Sequence, residues 1–226
     1  MGIKGNSRQI KALNAPSYFP TERKGFKYVA KQNPGRFNLA RSVSLIVALR
    51  KMLEESNRPL RTLIKEGGVK VNGSVIRDIK YPVGINDVIS IEKSKRHFAI
   101  GINDRAKFSY SELKEEPKEK IRKIVGKYKA KMNKIMIRLD DGTVIDAPKN
   151  ADVNDSIKIN NEKKVANVIK AKEGAKCIII DGIHVGSQGV IKSLQAGTSI
   201  KQASAQVQGS DGAVFETLLK NIMIVE

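Results

Sequence analysis

The sequence of 226 residues predicts an α+β protein: a basic N-terminal arm, a small helix-helix-hairpin module, a mainly antiparallel β central domain and an SH3-like barrel. Apolar residues first recur at helical spacing and then alternate with polar ones, which predicts helices followed by strands. Eighteen glycines and seven prolines are spread along the chain, which favours several small modules over one large domain. The predicted modules are residues 1–41, 42–95, 96–170 and 171–226.

The charge balance indicates a polyanionic partner. Forty-two Lys and Arg against 23 Asp and Glu give a net charge of +19. Such an excess does not improve packing and makes the folded chain repel itself, so binding to a polyanion is the simplest explanation for it. A membrane surface is the competing polyanion, but the longest apolar runs, such as residues 45–49, are far too short to span a bilayer. The N-terminus lacks the apolar stretch of a secretory signal. We expect a cytoplasmic protein without a membrane partner.

Metal, cofactor and small-molecule sites are not expected. One cysteine and two widely separated histidines exclude a disulfide framework and a Cys/His zinc site. No Gly-x-Gly-x-x-Gly or Walker pattern is present, so nucleotide-dependent chemistry has no site. Cys177 lies between apolar residues in KCIIID, which favours a buried small hydrophobe over a nucleophile.

The predicted arm, residues 1–41, contains many cations and a single acid, Glu22. Prolines and glycines exclude a long helix, and we expect the segment not to bury itself. Its five aromatic rings suit a chain that lies along RNA, where rings stack on exposed bases and cations meet phosphates. The candidate RNA-binding cations are Lys4, Arg8, Lys11, Arg23, Lys24, Lys27, Lys31, Arg36 and Arg41. The rings are Tyr18, Phe19, Phe26, Tyr28 and Phe37.

The next module carries two helical patterns and a hairpin. Val43, Ile46, Leu49 and Leu53 form a helical stripe, and the period becomes alternating at residues 69–71. Asn72-Gly73 supplies the left-handed pair of a two-residue hairpin. This order, with GGVKVNG followed by NDVISI, resembles the alpha-L RNA-binding motif, in which Asn86 replaces the usual Gly. The candidate RNA-binding residues here are Arg50, Lys51, Arg58, Arg61, Lys65, Lys70, Asn72 and Arg77.

Residues 96–170 alternate strand-like pieces with turns, which predicts a compact antiparallel barrel or sheet. The strand-like pieces are HFAIGI, KFSYSEL, KIVGKYK, KIMIRL, TVIDAP and SIKI. Asp140-Asp141-Gly142 is a strong hairpin signal. One helix is expected near residues 115–123.

Residues 172–194, KEGAKCIIIDGIHVGSQGVIKSL, place a glycine-containing loop between two apolar strands. The spacing resembles the KOW motif of ribosomal proteins and transcription elongation factors, an SH3-like barrel element. Its candidate loop residues are Gly182, His184, Gly186 and Gly189. Residues 203–226 are expected to add two strands around residues 218–221.

One stretch suggests an enzyme. Residues 138–143, RLDDGT, match the Arg-Leu-Asp-x-x-Thr core of the RNA pseudouridine synthases, in which Asp140 would be the nucleophile. In that family Gly precedes the motif and Gly-Leu-Leu follows it, whereas this chain has Ile137 before it and Val144-Ile145 after it. A hairpin explains every residue of the stretch, so we expect no enzyme. A KOW-bearing transcription factor that binds polymerase is a further alternative.

The order of modules resembles the archaeal and eukaryotic e-type family of small-subunit ribosomal protein four over essentially the whole chain. The local matches are Lys11 with residues 13–16, residues 34–35, residues 45–50, residues 81–82 with 87–91, and Gly186 with residues 189–191. Gln9, Ala12 and Phe19 depart from the residues usual in the family's arm, and the short C-terminal region is similar to that of archaeal members. The resemblance implies a structural protein of the small ribosomal subunit that binds small-subunit rRNA, contacts neighbouring ribosomal proteins and catalyses nothing.

Overall fold

The computed structural model describes residues 9–16, 18–21, 24–117, 119–130, 134–148, 150–160, 164–198 and 201–225. The chain divides into two compact units. Unit 1 comprises Met1–Gly101 with Lys107–Glu116, and unit 2 comprises Ile102–Ala106 with Pro117–Glu226. The division into four modules remains a prediction.

Unit 1 combines two helices with three small sheets. Its elements are β1 (Gln9–Lys11), β2 (Tyr28–Ala30), β3 (Ser42–Ser44), α1 (Leu45–Leu53), α2 (Asn57–Lys65), β4 (Val69–Val71), β5 (Ser74–Val75), β6 (Pro82–Gly84), β7 (Val88–Ile91), β8 (Arg96–Ile102) and β9 (Phe108–Leu113). The main sheet has the order β5-β4-β7-β8-β9, while β1 pairs with β2 and β3 pairs with β6. Arg96 on β8 donates two hydrogen bonds to the Glu112 carboxylate on β9, at 2.6 and 3.1 Å. These bonds hold the pKa of Glu112 below its usual range.

The two helices each bury one apolar face. Residues 45–49 of α1 are all buried, and Glu54 in the left-handed conformation, with φ of 54°, follows the last residue of the helix. In α2, Leu60 and Ile64 are fully buried at a spacing of four residues. These side chains join the strands of the main sheet in a single apolar cluster, which fixes both helices on the core of unit 1.

The predicted turn at Asn72-Gly73 is confirmed. Asn72 and Gly73 have φ of 51° and 79°, and the hairpin β4–β5 that they connect is antiparallel. Asn86 has φ of 60°, so it adopts the left-handed conformation for which glycine is the commoner residue.

Residues of the arm are buried in unit 1, so the expectation that this segment would not bury itself is wrong. Ala12, Phe19, Val29 and Phe37 are each at most 9% exposed. Backbone groups of the arm are also paired, since Tyr18 C=O accepts a hydrogen bond from Phe108 N–H at 3.2 Å. The prolines do prevent a long helix, but short extended pieces with small and aromatic side chains still cover apolar surface.

Unit 2 contains two five-stranded antiparallel sheets. Its elements are β10 (Glu119–Lys129), β11 (Ile135–Leu139), β12 (Val144–Asp146), β13 (Ser156–Asn160), β14 (Val165–Ile169), β15 (Lys176–Ile179), β16 (Gln188–Gln195), β17 (Ser204–Gly209), β18 (Val214–Leu218) and β19 (Ile222–Ile224). The first sheet has the order β12-β11-β10-β13-β14, and the second has the order β18-β17-β16-β15-β19. Each sheet packs on its own apolar cluster.

Polar contacts join these two sheets. Lys123 of β10 is buried, and its ammonium group donates a hydrogen bond of 2.6 Å to the Leu219 carbonyl oxygen. The Ser156 hydroxyl oxygen accepts a hydrogen bond from Ile224 N–H at 3.1 Å. A buried ammonium group is tolerated because carbonyl oxygens replace its water.

Two parts of the β-region differ from expectation. The predicted helix near residues 115–123 is wrong, because Glu119–Lys129 is a strand that pairs with both β11 and β13. Pairing on both edges outweighs the helix preference of the Glu and Lys residues. The pieces HFAIGI and KFSYSEL are strands β8 and β9, but they extend the main sheet of unit 1 instead of joining the later strands.

In the tail, the strands on both sides of residues 218–221 are confirmed as β18 and β19, which flank a short 3-10 helix at Leu219–Asn221. An additional strand, β17, pairs with β16 and β18. The KOW assignment itself remains a prediction.

Replacing Gly186 by alanine should strongly destabilise unit 2. Gly186 has φ of 91°, and a methyl group there would overlap the Asn103 carbonyl oxygen. The matched control is Gly212, which has φ of 77° and open space around it. We expect Gly212→Ala to lower the free energy of unfolding by about 1–2 kcal/mol, and Gly186→Ala by at least about 1 kcal/mol more. Guanidinium denaturation followed by circular dichroism measures both, and equal losses would contradict the predicted overlap.

Candidate nucleic-acid interface

The exposed face of α2 carries a stripe of cations. Arg58, Arg61 and Lys65 are exposed and lie three and four residues apart, which places them on the same side of the helix. Because Leu60 and Ile64 fix the opposite side on the core, the three cations are held towards solvent. The stripe is about 10 Å long at the rise of an α-helix, so it presents several positive charges along one line.

A further cation adjoins the C-terminal end of α2. Arg77 is exposed, and a methyl group on Gly67 would lie 3.4 Å from its guanidinium Nε. Arg77 therefore lies close to the first residues after the helix. Lys65 and Arg77 also meet the partial negative charge of the helix C-terminus, which favours cations there.

The other predicted helix cations are on α1. Lys51 is exposed, and the guanidinium carbon of Arg50 lies 4.6 Å from the centre of the Phe26 ring. The Phe26 side chain is 54% exposed. The fold thus brings an aromatic ring of the arm against a cation of the helix, a pairing that sequence separation gave no means of predicting.

The cations of the arm differ in exposure. Lys11, Lys24 and Lys27 are exposed, and Lys31 and Arg41 are half-buried. The ammonium group of Lys27 lies 5.6 Å from the centre of the Tyr28 ring, which is itself on the surface. The remaining predicted arm cations, Lys4, Arg8 and Arg23, lie outside the described residues.

Two predicted RNA-binding residues bond to a buried carboxylate, Asp87. Asn72 donates a hydrogen bond to Asp87 Oδ1 at 2.7 Å, and its own side-chain oxygen accepts one from Val88 N–H at 3.1 Å. Arg36 Nη2 lies 3.4 Å from the same carboxylate oxygen. Gly84 N–H donates to Asp87 Oδ2 at 3.0 Å. The structure therefore gives Asn72 and Arg36 a role in holding unit 1 together.

Lys70 also has an internal partner. Its ammonium group lies 2.6 Å from a Glu92 carboxylate oxygen. The hydrogen bond to Glu92 raises the pKa of Lys70 above its ordinary value. Both side chains remain partly exposed, so solvent screens this pair.

Three of the aromatic rings predicted to stack on bases are in the core of unit 1 or on its edge. Phe19 and Phe37 are buried, which makes the stacking expectation wrong for them. Tyr18 is half-buried, and its ring meets that of Phe108 edge-on at 5.4 Å between centroids. Phe26 and Tyr28 are the exposed rings among the predicted five.

The predicted KOW-loop residues lie between β15 and β16 in unit 2 or on the first residues of β16. His184 stacks on Phe215, with 4.1 Å between ring centroids and 21° between ring planes. Gly186 is buried, whereas Gly182 is exposed with φ of 97°. Gly189 begins the pairing of β16 with β17 opposite Gly209. Packing within unit 2 thus accounts for His184 and Gly186.

The candidate nucleophile Asp140 lies in the hairpin between β11 and β12. Leu139 N–H donates to the Thr143 carbonyl oxygen at 2.9 Å, and Asp141 Oδ1 accepts from Thr143 N–H at 2.9 Å. The Asp140 side chain is 13% exposed and lies 3.7 Å from the buried guanidinium of Arg122. The structure thus gives the motif the form of a closed turn, not of an open catalytic cleft.

Other chemistry finds little support in the part of the chain that the structure describes. There, no group of three or more His, Cys, Asp or Glu side chains could hold a metal ion. None of the described helices has the length and apolar character needed to cross a bilayer.

Residues 96–170 contributed no predicted RNA contact, although residues 124–139 contain five cations and no acid. The described cations there are Lys127, Lys129, Lys134 and Arg138, all of them exposed. A count of charges along the strands would have found this stretch.

The helix pair, the hairpin and the exposed cations define a protein built on an S4 domain, and the S4 domain model matches residues 45–89. The model described as Ribosomal family S4e matches residues 94–166. The protein named small ribosomal subunit protein eS4 from Desulfurococcus amylolyticus is 31% identical, over 98% of this chain and 93% of its own. The protein of that name from Sulfurisphaera tokodaii is 33% identical, over 96% of this chain and 94% of its own. The chain belongs to the S4e family of ribosomal proteins.

A solved structure agrees with this assignment. The crystal structure of the 30S ribosomal protein S4e from Thermoplasma acidophilum matches with a TM-score of 0.68 and 26% identity. The match covers 82% of this chain and 95% of that one. The family resemblance drawn from the sequence is therefore confirmed.

Removing the Asp87 carboxylate should destabilise unit 1. Asp87→Ala leaves Asn72 and Gly84 N–H without their acceptor, and we expect a loss of about 3 kcal/mol in the free energy of unfolding. The control is Asp78→Ala, because Asp78 is exposed although it also accepts hydrogen bonds, from Asn33 and Lys80 N–H. That change should cost less than about 1 kcal/mol. Urea denaturation measures both, and similar losses would contradict the role given to Asp87.

Cys177 should be unreactive in the folded protein. Its side chain is buried, as expected, and burial raises the pKa of the thiol to about 11. Because the thiolate reacts, alkylation by iodoacetamide near pH 8 should be slow until denaturant is added. Since the pKa is raised on folding, this group reduces stability only as the pH rises above the unfolded value near 9. Rapid labelling of the native protein would show that the thiol is accessible.

Proposed function

We propose that this protein is a structural constituent of the small ribosomal subunit in the cytoplasm, where it binds small-subunit rRNA and contacts neighbouring ribosomal proteins. Membership of the S4e family supports this proposal, and the single structural observation that carries it is the exposed cation stripe on α2. The stripe belongs to the S4 domain, and the whole chain has a net charge of +19.

The stripe binds phosphates. Arg58, Arg61 and Lys65 meet the backbone of folded rRNA and displace condensed counterions, whose release supplies much of the affinity. The deep, narrow major groove of A-form RNA hides base edges, so selectivity comes from RNA shape and not from base sequence. The exposed cations are thus the main RNA contacts that we propose. Asn72 and Arg36 contribute indirectly, because they bond to Asp87 and stabilise unit 1.

The exposed surface of the arm extends this contact. Phe26, held by Arg50, and Tyr28, beside Lys27, present rings next to cations. Such pairs suit unpaired nucleotides, which stack on the ring while a phosphate meets the cation. Simultaneous contacts by the arm and α2 raise the effective concentration of RNA at each.

The alternatives are less well supported. A pseudouridine synthase requires Asp140 to reach a uridine, whereas the hairpin and the buried Arg122 enclose its side chain. A transcription factor that binds polymerase would rest on the KOW assignment alone. The protein is accordingly proposed to act without a cofactor, a metal or a small-molecule substrate.

Neutralising the α2 stripe should weaken RNA binding and its salt dependence. The double variant Arg61→Gln/Lys65→Gln removes about two phosphate contacts. At about 0.9 per contact, the value for a B-form DNA duplex, the slope of log K against log salt should become shallower by about 1.8. A filter-binding titration with small-subunit rRNA at several salt concentrations measures this slope.

The matched control loses the same charge elsewhere. Lys170→Gln/Lys172→Gln alters two exposed lysines in unit 2, outside the S4 domain. Both double variants lower the net charge by two, so equal effects would indicate a general charge effect and contradict a specific contact at α2.

A further inference from the structure

The hairpin formed by β10 and β11 is the most strongly basic strand pair of unit 2. Residues 124–139, IVGKYKAKMNKIMIRL, carry five Lys or Arg and no Asp or Glu. A folded unit gains no packing from this run, so the charge points to an external polyanion. Lys129 and Lys134 are exposed on the two sides of the hairpin tip, where Ala130 N–H donates to the Lys134 carbonyl oxygen at 2.8 Å.

An aromatic ring lies on the outer face of this hairpin. The strand register pairs Tyr128 with Met136, and Gly126 with Arg138, while the inward side of the strands carries the buried Ile137. Tyr128 is 46% exposed. Among the described residues, its side chain has neither a hydrogen bond nor a ring contact, so its face is open to a ligand.

Arg138 stands beside this ring. It is the diagonal neighbour of Tyr128 across the strand pair, a separation that long side chains can span. A methyl group on Gly126 would lie 3.8 Å from Arg138 Nη2 and meet nothing else within 4 Å. The guanidinium therefore extends over bare backbone, with open space on the side of Tyr128.

We propose that the outer face of the β10–β11 hairpin is a second RNA-contact surface, on which Tyr128 stacks on an unpaired nucleobase and Arg138 and Lys134 meet its phosphates. This inference rests on the proposed function and adds a site outside the S4 domain. Exposed aromatic rings with flanking cations are how proteins hold single-stranded RNA, because every base has a π-face.

Charge decides between RNA and a protein partner. Among the described residues of β11 and β12, the carboxylate on this side is that of Asp146, which pairs with Met136. Asp152 contacts Lys127 at 3.2 Å, but the side chain of Lys127 is on the other side of β10. Asp146 is two strands away from Tyr128, which is a distance of about 10 Å. At that distance, physiological salt largely screens the charge of its carboxylate. With no closer acid on this side of the described strands, the surface suits a polyanion with stacking groups better than a mixed-charge protein surface.

The experiment compares a short oligouridine RNA with an RNA duplex of the same length, each titrated into the full chain by fluorescence anisotropy. Tyr128→Ala should weaken oligouridine binding about tenfold, because a stacked base is lost. Tyr128→Phe keeps the ring and should retain wild-type affinity. Both variants should bind the duplex like the wild type, since its bases are not free to stack. Circular dichroism checks that both variants fold.

The phosphate contacts of the cations are tested separately, by the salt dependence of binding. Lys134→Gln/Arg138→Gln should make the salt dependence of oligouridine binding shallower by about 1.4 in slope, or about 0.7 per phosphate contact. An unchanged slope would overturn the phosphate contacts of this surface.

The results separate this inference from the proposed function. If Tyr128→Ala binds oligouridine like the wild type, or loses oligouridine and duplex equally, the stacking surface is wrong, and a protein becomes the better partner for this face. If the wild-type protein binds neither RNA, the proposed function itself fails.

Discussion

A single buried carboxylate organises unit 1. Asp87 accepts hydrogen bonds from the β4–β5 turn through Asn72, and from Gly84 N–H, and it meets Arg36 of the arm. A buried carboxylate is costly unless such donors replace its water. Because the donors come from three separate segments, only one arrangement of arm, hairpin and sheet satisfies the charge.

The need of a buried charge for hydrogen-bond partners also decides which of the described cations are buried and which are exposed. Apolar side chains make up the cores of both units, so most of the described cations remain in water and give the surface its charge. Arg122 and Lys123 are exceptions, with Asp140 and backbone carbonyl oxygens as their partners. These internal partners hold strands together, and Lys127 likewise donates to the Ala151 carbonyl oxygen. The exposed cations Arg58, Arg61 and Lys65 of α2, and Lys129, Lys134 and Arg138 of the β10–β11 hairpin, have no such structural contacts among the described residues.

Sequence reasoning succeeded where the signal was local. The two helices, the Asn72-Gly73 turn and the left-handed Asn86 follow from spacing and from backbone preferences of single residues. It failed where distant segments decided the outcome. The helix expected near residues 115–123 is a strand because β11 and β13 pair with both its edges, and the aromatic rings of the arm divide between core and surface according to what packs on them.

The sequence alone determined that the chain is basic, that it contains an S4-like helix pair and hairpin, and that it resembles the S4e family. These properties depend on composition and on neighbouring residues. Only the tertiary structure decided which polar residues are free to meet RNA: Asn72 and Arg36 bond to Asp87, while Arg58, Arg61 and Lys65 face solvent. The physical reason is that burial and hydrogen-bond partners come from segments far apart in the sequence, and no local pattern records them.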